Sequence, residues 1–400
     1  MKKIAAFLTA TLLFLCFAVA VHFIVLHGFQ KENKGFGTWI NSYKDMSYSA
    51  IDKNLHDDTL LVLGSSEFQH GKNTEYHPTQ IFRGMNKDVM CVGAAYNQCL
   101  SHTITLGALA PDLKSKKVVL ILSPAWFDKK GVTENGFAVR FSESQYMALL
   151  NNNNLSKGLK QEIAKRTQSL LNKAPAMQEN VKKYNDILLN KQYNPIDRMY
   201  FSAKKIMLNE REAVNTSSLW RTSGKPQYNK YKKHITGKEP NWDELVKKAD
   251  KEYETEATNN EFYIRDSIYN KKFLPVLSKQ KNSMSKREFW RSSPEYGDLD
   301  LFLRVAKESN IDVMLILLPM NGYWYDYTGF NQKARDVLPG QIKEVTDKYN
   351  VEFCDFFNEE YNPGFLEDAF HPAGKGWTLI NEKINEFYDK NKDKNKGNNK

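Results

Sequence analysis

Long hydrophobic runs are confined to the first 26 of the 400 residues, and the mean hydropathy of −0.60 excludes a protein of many membrane spans. Cysteine is scarce. Cys16 lies in the apolar first segment, and Cys91, Cys99 and Cys354 lie in or beside apolar runs, so they read as small buried residues and not as a disulfide framework. Glycine-rich phosphate loops, internal repeats and coiled-coil heptads are absent. His70, His77 and His102 lack the Cys or carboxylate spacing of a zinc site; they read as solvated or capping residues, and no metal is expected. Disorder is excluded as well, because 41% hydrophobic and 12% aromatic residues supply an ample core.

The first segment is the clearest positive signal. Lys2 and Lys3 precede an apolar run from Ile4 to Leu26, interrupted by Thr9, Thr11 and His22. About 20 apolar residues cross ~30 Å of hydrocarbon, so residues 1–27 read as a transmembrane anchor. A cleaved signal would have a shorter apolar region, and Ala18-Val19-Ala20 lies inside this run. The bulky Phe14 and Leu15 before Cys16 argue against lipidation of that thiol. The two lysines favour a cytoplasmic N-terminus, which places the bulk of the chain outside the cell. The formal charge of +10 is shared between a tail at 390–400, read as disordered, and the domain itself. On the domain the excess suits a polyanion or anionic lipid headgroups. For an exported protein, nucleic acid is not the expected polyanion.

Short apolar, β-branched runs at 59–63, 88–93, 117–123, 311–318 and 351–356 predict buried strands. Helical spacing at 100–113, 301–308, 333–349 and 376–388 alternates with them. That alternation predicts an α/β fold, a mostly parallel sheet covered by helices on both faces. Residues 28–58 read as a membrane-proximal connector. Residues 59–140 and 294–389 form the α/β domain. Residues 141–293, rich in Lys, Asn, Glu, Gln and Tyr, read as a helical insertion. It is either a lid or docking surface over the sheet's active edge, or a solvated elaboration.

Ligands of open α/β sheets bind beyond the carboxyl ends of the strands, so strand-ending residues come first. Gly64-Ser65-Ser66-Glu67 ends the first predicted strand, where a serine serves equally as a helix cap. Asp368-Ala369-Phe370-His371-Pro372 precedes the last helix. There Asp368 can reach the His371 imidazole, although the segment also suits a simple capped turn. Taken together, an early serine and a late Asp-x-x-His are the three parts of an acyl-transfer triad. The Gly-x-Ser-x-Gly elbow of α/β-hydrolases fails, because Phe68 occupies the last position.

Gly-x-Ser near the start with a terminal Asp-x-x-His resembles the SGNH, or GDSL-like, hydrolase superfamily. A narrower resemblance, to the DltD family, rests on five motifs in order. They are Gly64-Ser65-Ser66-Glu67, Tyr96-Asn97-Gln98, Ser123-Pro124-Ala125-Trp126-Phe127, the run from Asn321 to Gly329, and Asp368-Ala369-Phe370-His371-Pro372. The resemblance implies a flavodoxin-like, three-layer sheet of SGNH-hydrolase type, and an anchored, exported protein of Gram-positive bacteria acting in D-alanylation of teichoic acids. It implies catalysis by Ser66, His371 and Asp368 without a cofactor, and an oxyanion hole at the Ser66 and Gly93 amides. Where the superfamily places an oxyanion asparagine this chain has Ser123-Pro124-Ala125-Trp126; Asn97 is the substitute, or else a turn residue. Trp126, Asn321, Tyr323, Trp324 and Tyr325 line a substrate groove or pack the insertion onto the sheet. The implied partners are the teichoic acid polymer, a membrane-embedded acyltransferase-like protein and a D-alanyl carrier protein. Two rivals stand beside acyl transfer: a thioesterase clearing mischarged carrier, and a non-catalytic docking subunit.

Overall fold

The computed structural model describes residues 2–29, 33–349 and 351–390. The expected tail beyond Lys390 and part of the connector lie outside them. Helix α1 (Lys2–Phe29) carries the apolar run, and its stretch Lys2–Ile24 is long and apolar enough to cross a membrane. The strands follow in chain order: β1 (Leu60–Gly64), β2 (Val89–Gly93), β3 (Lys117–Leu122), β4 (Asp312–Leu317) and β5 (Glu352–Asp355). All pair in parallel, in the order β2-β1-β3-β4-β5. Each lies within two residues of its expected range, because a parallel strand covered on both faces must be apolar nearly throughout.

Alternation along the strands builds two cores. Leu61, Leu63, Val118, Leu120, Leu315 and Leu317 face one layer of helices. That layer is α3 (Cys99–Leu109), α5 (Pro294–Glu308) and α7 (Val337–Thr346). Leu60, Val62, Val119, Ile121, Met314 and Ile316 face the other, formed by α2 (Pro78–Gly84) and α8 (Gly374–Asp389). The single helix expected over 333–349 is instead Gln332–Arg335 followed by α7. Pro339 explains the break: its ring would strike the carbonyl four residues back, at Arg335, and it has no N–H for that bond.

Residues 141–293 hold helices and no strand among the described residues, the longest being α4 (Pro195–Leu219). Most of their buried apolar residues join the first core, and Ala249 joins the second. The connector packs tightly too. Phe36, Trp39 and Ile51 are buried, and the Lys44 ammonium, fully enclosed, donates to the Gly37 carbonyl and to Cys91 O at the heart of β2. Burial pushes its pKa down, and Asp45 opposes the shift. Cys91, Cys99 and Cys354 are free thiols, the first two buried.

In the strand order 2-1-3-4-5 the direction of winding reverses between β1 and β3, which opens a crevice beyond their carboxyl ends. Ser66 lies there, two residues past the end of β1.

Candidate active site

Gly64 ends β1 because nothing larger fits: a Cβ there would meet the Glu67 carboxylate and the Phe68 ring. The chain then turns into a short 3-10 segment at Ser66–Gln69. The two serines part company at this turn. Ser65 Oγ donates to Ala94 O at 3.1 Å, and its N–H is held by the buried Glu67 carboxylate. Ser66 is partly exposed, and its Oγ lies 2.9 Å from His371 Nε2, across 305 positions of sequence. Burial pushes the Glu67 carboxyl up to about 7, against the opposing pull of the Ser65 N–H.

The loop before α8 (Gly374–Asp389) supplies the rest. Asp368 Oδ2 lies 2.8 Å and Oδ1 3.0 Å from His371 Nδ1, and Oδ1 also accepts the N–H groups of Phe370 and His371. Burial opposes ionisation of Asp368, but the His371 hydrogen bond and charge and the two amides outweigh it and hold the carboxyl below its usual value. The structure thus brings together Ser66, His371 and Asp368 in one hydrogen-bonded line.

A second imidazole–carboxylate pair lies against the first. The His70 ring stacks on His371 with centroids 3.7 Å apart and planes 8° from parallel. Its Nδ1 is held by Glu367, which Arg265 of the insertion also grips at 2.8 Å. Trp377 Nε1 fixes the His70 carbonyl at 3.1 Å, and Glu367 N–H donates to His371 O at 2.8 Å. Sequence reading missed His70 and set it aside as solvated or capping. The signal was the adjacent acids Glu367 and Asp368, two carboxylates that each engage a different imidazole. Atoms of His70, Asp368 and His371 lie within 4.8 Å of one another and could reach a cation. The contacts of His371 to Ser66 and to Asp368 already use both its ring nitrogens, so a metal there would have to break the line.

The other histidines differ. His77 caps α2 (Pro78–Gly84), accepting the Thr79 N–H at 3.2 Å, as a capping reading expects. His102 is neither solvated nor capping: it is fully buried in α3 (Cys99–Leu109) near Trp126, and burial pushes its pKa down to about 3.

The expected oxyanion donors fare unevenly. Gly93 N–H already donates to Asp45 Oδ2 at 3.2 Å, and burial raises that carboxyl to about 7. The glycine has a steric reason instead, since a Cβ would lie 2.1 Å from Gly64 O on the neighbouring strand. Asn97 closes a turn with Ala94: its Oδ1 accepts the Ala94 N–H at 3.1 Å and its own N–H returns to Ala94 O at 2.9 Å. Ser66 N–H remains, at the first residue of its 3-10 turn, where helical amides lack intrahelical partners.

The expected groove residues are packing residues. Trp126, Asn321, Trp324 and Tyr325 are buried. Asn321 caps α6 (Gly322–Tyr327) and donates to Phe262 O at 2.9 Å. Trp324 meets Phe262 and Phe273 edge-on, and Tyr323 donates to Tyr361 O. The aromatic run therefore fastens the insertion to the sheet, because Phe262 and Phe273 both come from the insertion. A cavity of about 660 Å³ lies beside α2 (Pro78–Gly84), and Ser66 is not among the residues that line it.

The chain is similar to known proteins over nearly its whole length. The profile of the DltD family, described as DltD protein, matches residues 36–389. A Protein DltD of Bacillus subtilis (strain 168) is 31% identical over 394 residues, covering 94% of each chain. The Protein DltD of Staphylococcus aureus (strain NCTC 8325 / PS 47) is 27% identical over 326 residues, covering 81% of this chain and 79% of that one. The Protein DltD of Lacticaseibacillus rhamnosus is 26% identical over 344 residues, covering 83% and 78%.

Proposed function

The chain belongs to the DltD family and takes part in D-alanylation of teichoic acids, and from that premise we propose that Ser66 carries the D-alanyl group as a covalent seryl ester. The observation that carries this reading is the 2.9 Å contact from Ser66 Oγ to an imidazole whose other nitrogen sits on Asp368. In the first half-reaction His371 Nε2 takes the Ser66 proton while Oγ bonds to the acyl carbonyl carbon of the donor. The tetrahedral intermediate collapses by breaking the bond to the donor's leaving group, which departs with the proton from His371. In the second, His371 deprotonates a hydroxyl of the polyol phosphate polymer. That oxygen bonds to the ester carbonyl, and Ser66 leaves as the alcohol with the proton returned. Water is the competing acceptor.

Asp368 keeps the imidazole in the tautomer whose Nε2 accepts, and stabilises the imidazolium between the two transfers. His70 acts through His371: its stacked ring, fixed by Glu367 and Arg265, limits the tilt of the base. The Ser66 N–H is the amide left to face the developing oxyanion.

The apolar α1 (Lys2–Phe29) serves as a single-pass anchor, with Lys2 and Lys3 inside and the bulk outside, where the polymer lies. The membrane-embedded acyltransferase-like protein is the partner upstream of Ser66, and the D-alanyl carrier acts before it on the cytoplasmic side. The test is Ser66→Ala, with immunoblot confirmation that the protein stays in the membrane. Alkali-labile D-alanine esters of the envelope are expected to fall to background. Unchanged ester content with normal protein level would leave the docking role.

A further inference from the structure

Helix α4 (Pro195–Leu219) has two apolar faces, and the core uses one of them. Phe201 and Leu208 point into the domain. On the opposite side Ile196, Met199, Tyr200, Ala203, Ile206 and Met207 recur at the three- and four-residue spacing of a single helix face. They are exposed: Ile196 by 72%, Met199 by 70% and Ile206 by 65%. Six such positions without a charge among them form a continuous stripe, which is unusual on a water-facing helix.

The stripe's position identifies its neighbour. Glu210, one turn beyond Met207 on the same face, pairs with His22 of α1 (Lys2–Phe29) at 2.7 Å. Arg221, just past the end of α4, donates to Ile24 O of α1 at 3.0 Å. Val21 packs against the domain core, whereas residues before it on α1 are fully exposed. From 210 to 221 the chain advances roughly 16 Å along α4, whereas from 22 to 24 it advances roughly 3 Å along α1. The contacts do not advance in step, as they would for two helices running side by side, and they hold α4 at the level where α1 emerges from the domain.

The charges fit that placement. Arg211 is exposed beside the stripe, and Arg198 and Lys205 are exposed further round the helix. The carboxylates of α4 are already occupied: Asp197 in the N-terminal capping box, Glu210 on His22 and Glu212 on Ser144. An apolar face on a helix whose exposed charges are basic, held at the level where α1 emerges, is the pattern of a helix seated in the headgroup region of an anionic bilayer.

We infer that the N-terminal half of α4 is an interfacial helix, with Ile196, Met199, Ile206 and Met207 inserted into the leaflet from which α1 emerges. The occupant of the stripe is lipid, with the helix's basic residues toward anionic headgroups. The inference rests on α1 being a membrane span and is independent of the chemistry at Ser66. It gives the domain a second attachment, which fixes its tilt over the membrane as a single span cannot.

The test uses the full-length chain in nanodiscs of phosphatidylglycerol and phosphatidylcholine. Met199→Cys and Ile206→Cys, each in a Cys16→Ser, Cys354→Ser background, are labelled with an environment-sensitive fluorophore, and Lys281→Cys on the insertion is the water-exposed control. Acyl-brominated lipids are expected to quench the labels at 199 and 206 at least about twofold, as an apolar face buried in the interface requires, and to leave the control unquenched. Replacing Met207 with Glu in the Ile206→Cys protein is expected to relieve the quenching without changing the melting temperature. Labels that stay water-like and unquenched in nanodiscs that hold the inserted chain would overturn the inference. Labels shielded in native membrane vesicles but not in nanodiscs that hold this chain without other membrane proteins would overturn it too, and would assign the stripe to a protein.

Discussion

The carboxyl edge of the sheet and the outer face of α4 (Pro195–Leu219) treat their side chains in opposite ways. At the sheet edge, burial on both faces leaves polar groups only where strands end. Those groups are all held: Ser65 by Ala94, Asp368 by two amides and an imidazole, Glu367 by Arg265 and His70. On α4, burial on one face leaves the other apolar and exposed. Preorganised polar groups mark a place where bonds are made, whereas unpaired apolar surface marks a place where another phase is met.

Substitutions can break this contrast, and the largest effect is expected at the triad. Asp368→Asn keeps the shape but offers the wrong partner to His371 Nδ1. Ester formation should fall by about 10⁴-fold, as when the tautomer-fixing carboxylate of a serine triad is lost, while thermal unfolding barely moves. Next comes the core. Leu315→Ala, in the middle of β4 and fully buried, should cost about 2–5 kcal/mol in denaturant unfolding. Met207→Ala on the α4 stripe should stay within about 0.5 kcal/mol in detergent, where no bilayer presses on it. Equal costs at these two positions would erase the distinction between core and outer face.

A smaller loss than that at Asp368 sharpens the account within the site. His70→Ala should lower turnover on the order of tenfold to a hundredfold, since loosening the base misaligns a proton transfer. His70→Phe, which restores a ring against His371 without the Glu367 bond, should recover part of that loss. Equal loss in both variants would mean that His70 matters through its proton and not through its stacked ring.

The sheet was legible because its physics is local. Each strand is an apolar run, and the run from Ile311 to Leu318 could be read without knowing its neighbours. Helix limits were less so: α5 (Pro294–Glu308) begins at the Ser293 cap, seven residues before the expected start at Leu301. The meeting of Ser66, Asp368 and His371 was legible from residue order, since an early serine stands at the end of a strand and a late Asp-x-x-His stands before the last helix. His70 was not, because its partner Glu367 lies 297 positions away and nothing around His70 announces it. Gly93 was read for its amide, whereas Gly64 O, packed against it, explains the glycine sterically. The aromatics from Tyr323 to Tyr327 looked alike for lining or packing; only the contacts of Phe262 and Phe273 with Trp324 decide for packing.

The most direct test of the central claim is to label the purified full-length protein with a fluorophosphonate and locate the adduct by peptide mass spectrometry. The account predicts a single adduct on Ser66, retained in Ser65→Ala and lost in both Ser66→Ala and His371→Ala. An adduct that persists in Ser66→Ala, or a wild-type protein that takes no label while α1 remains membrane-inserted, would contradict a nucleophile at Ser66.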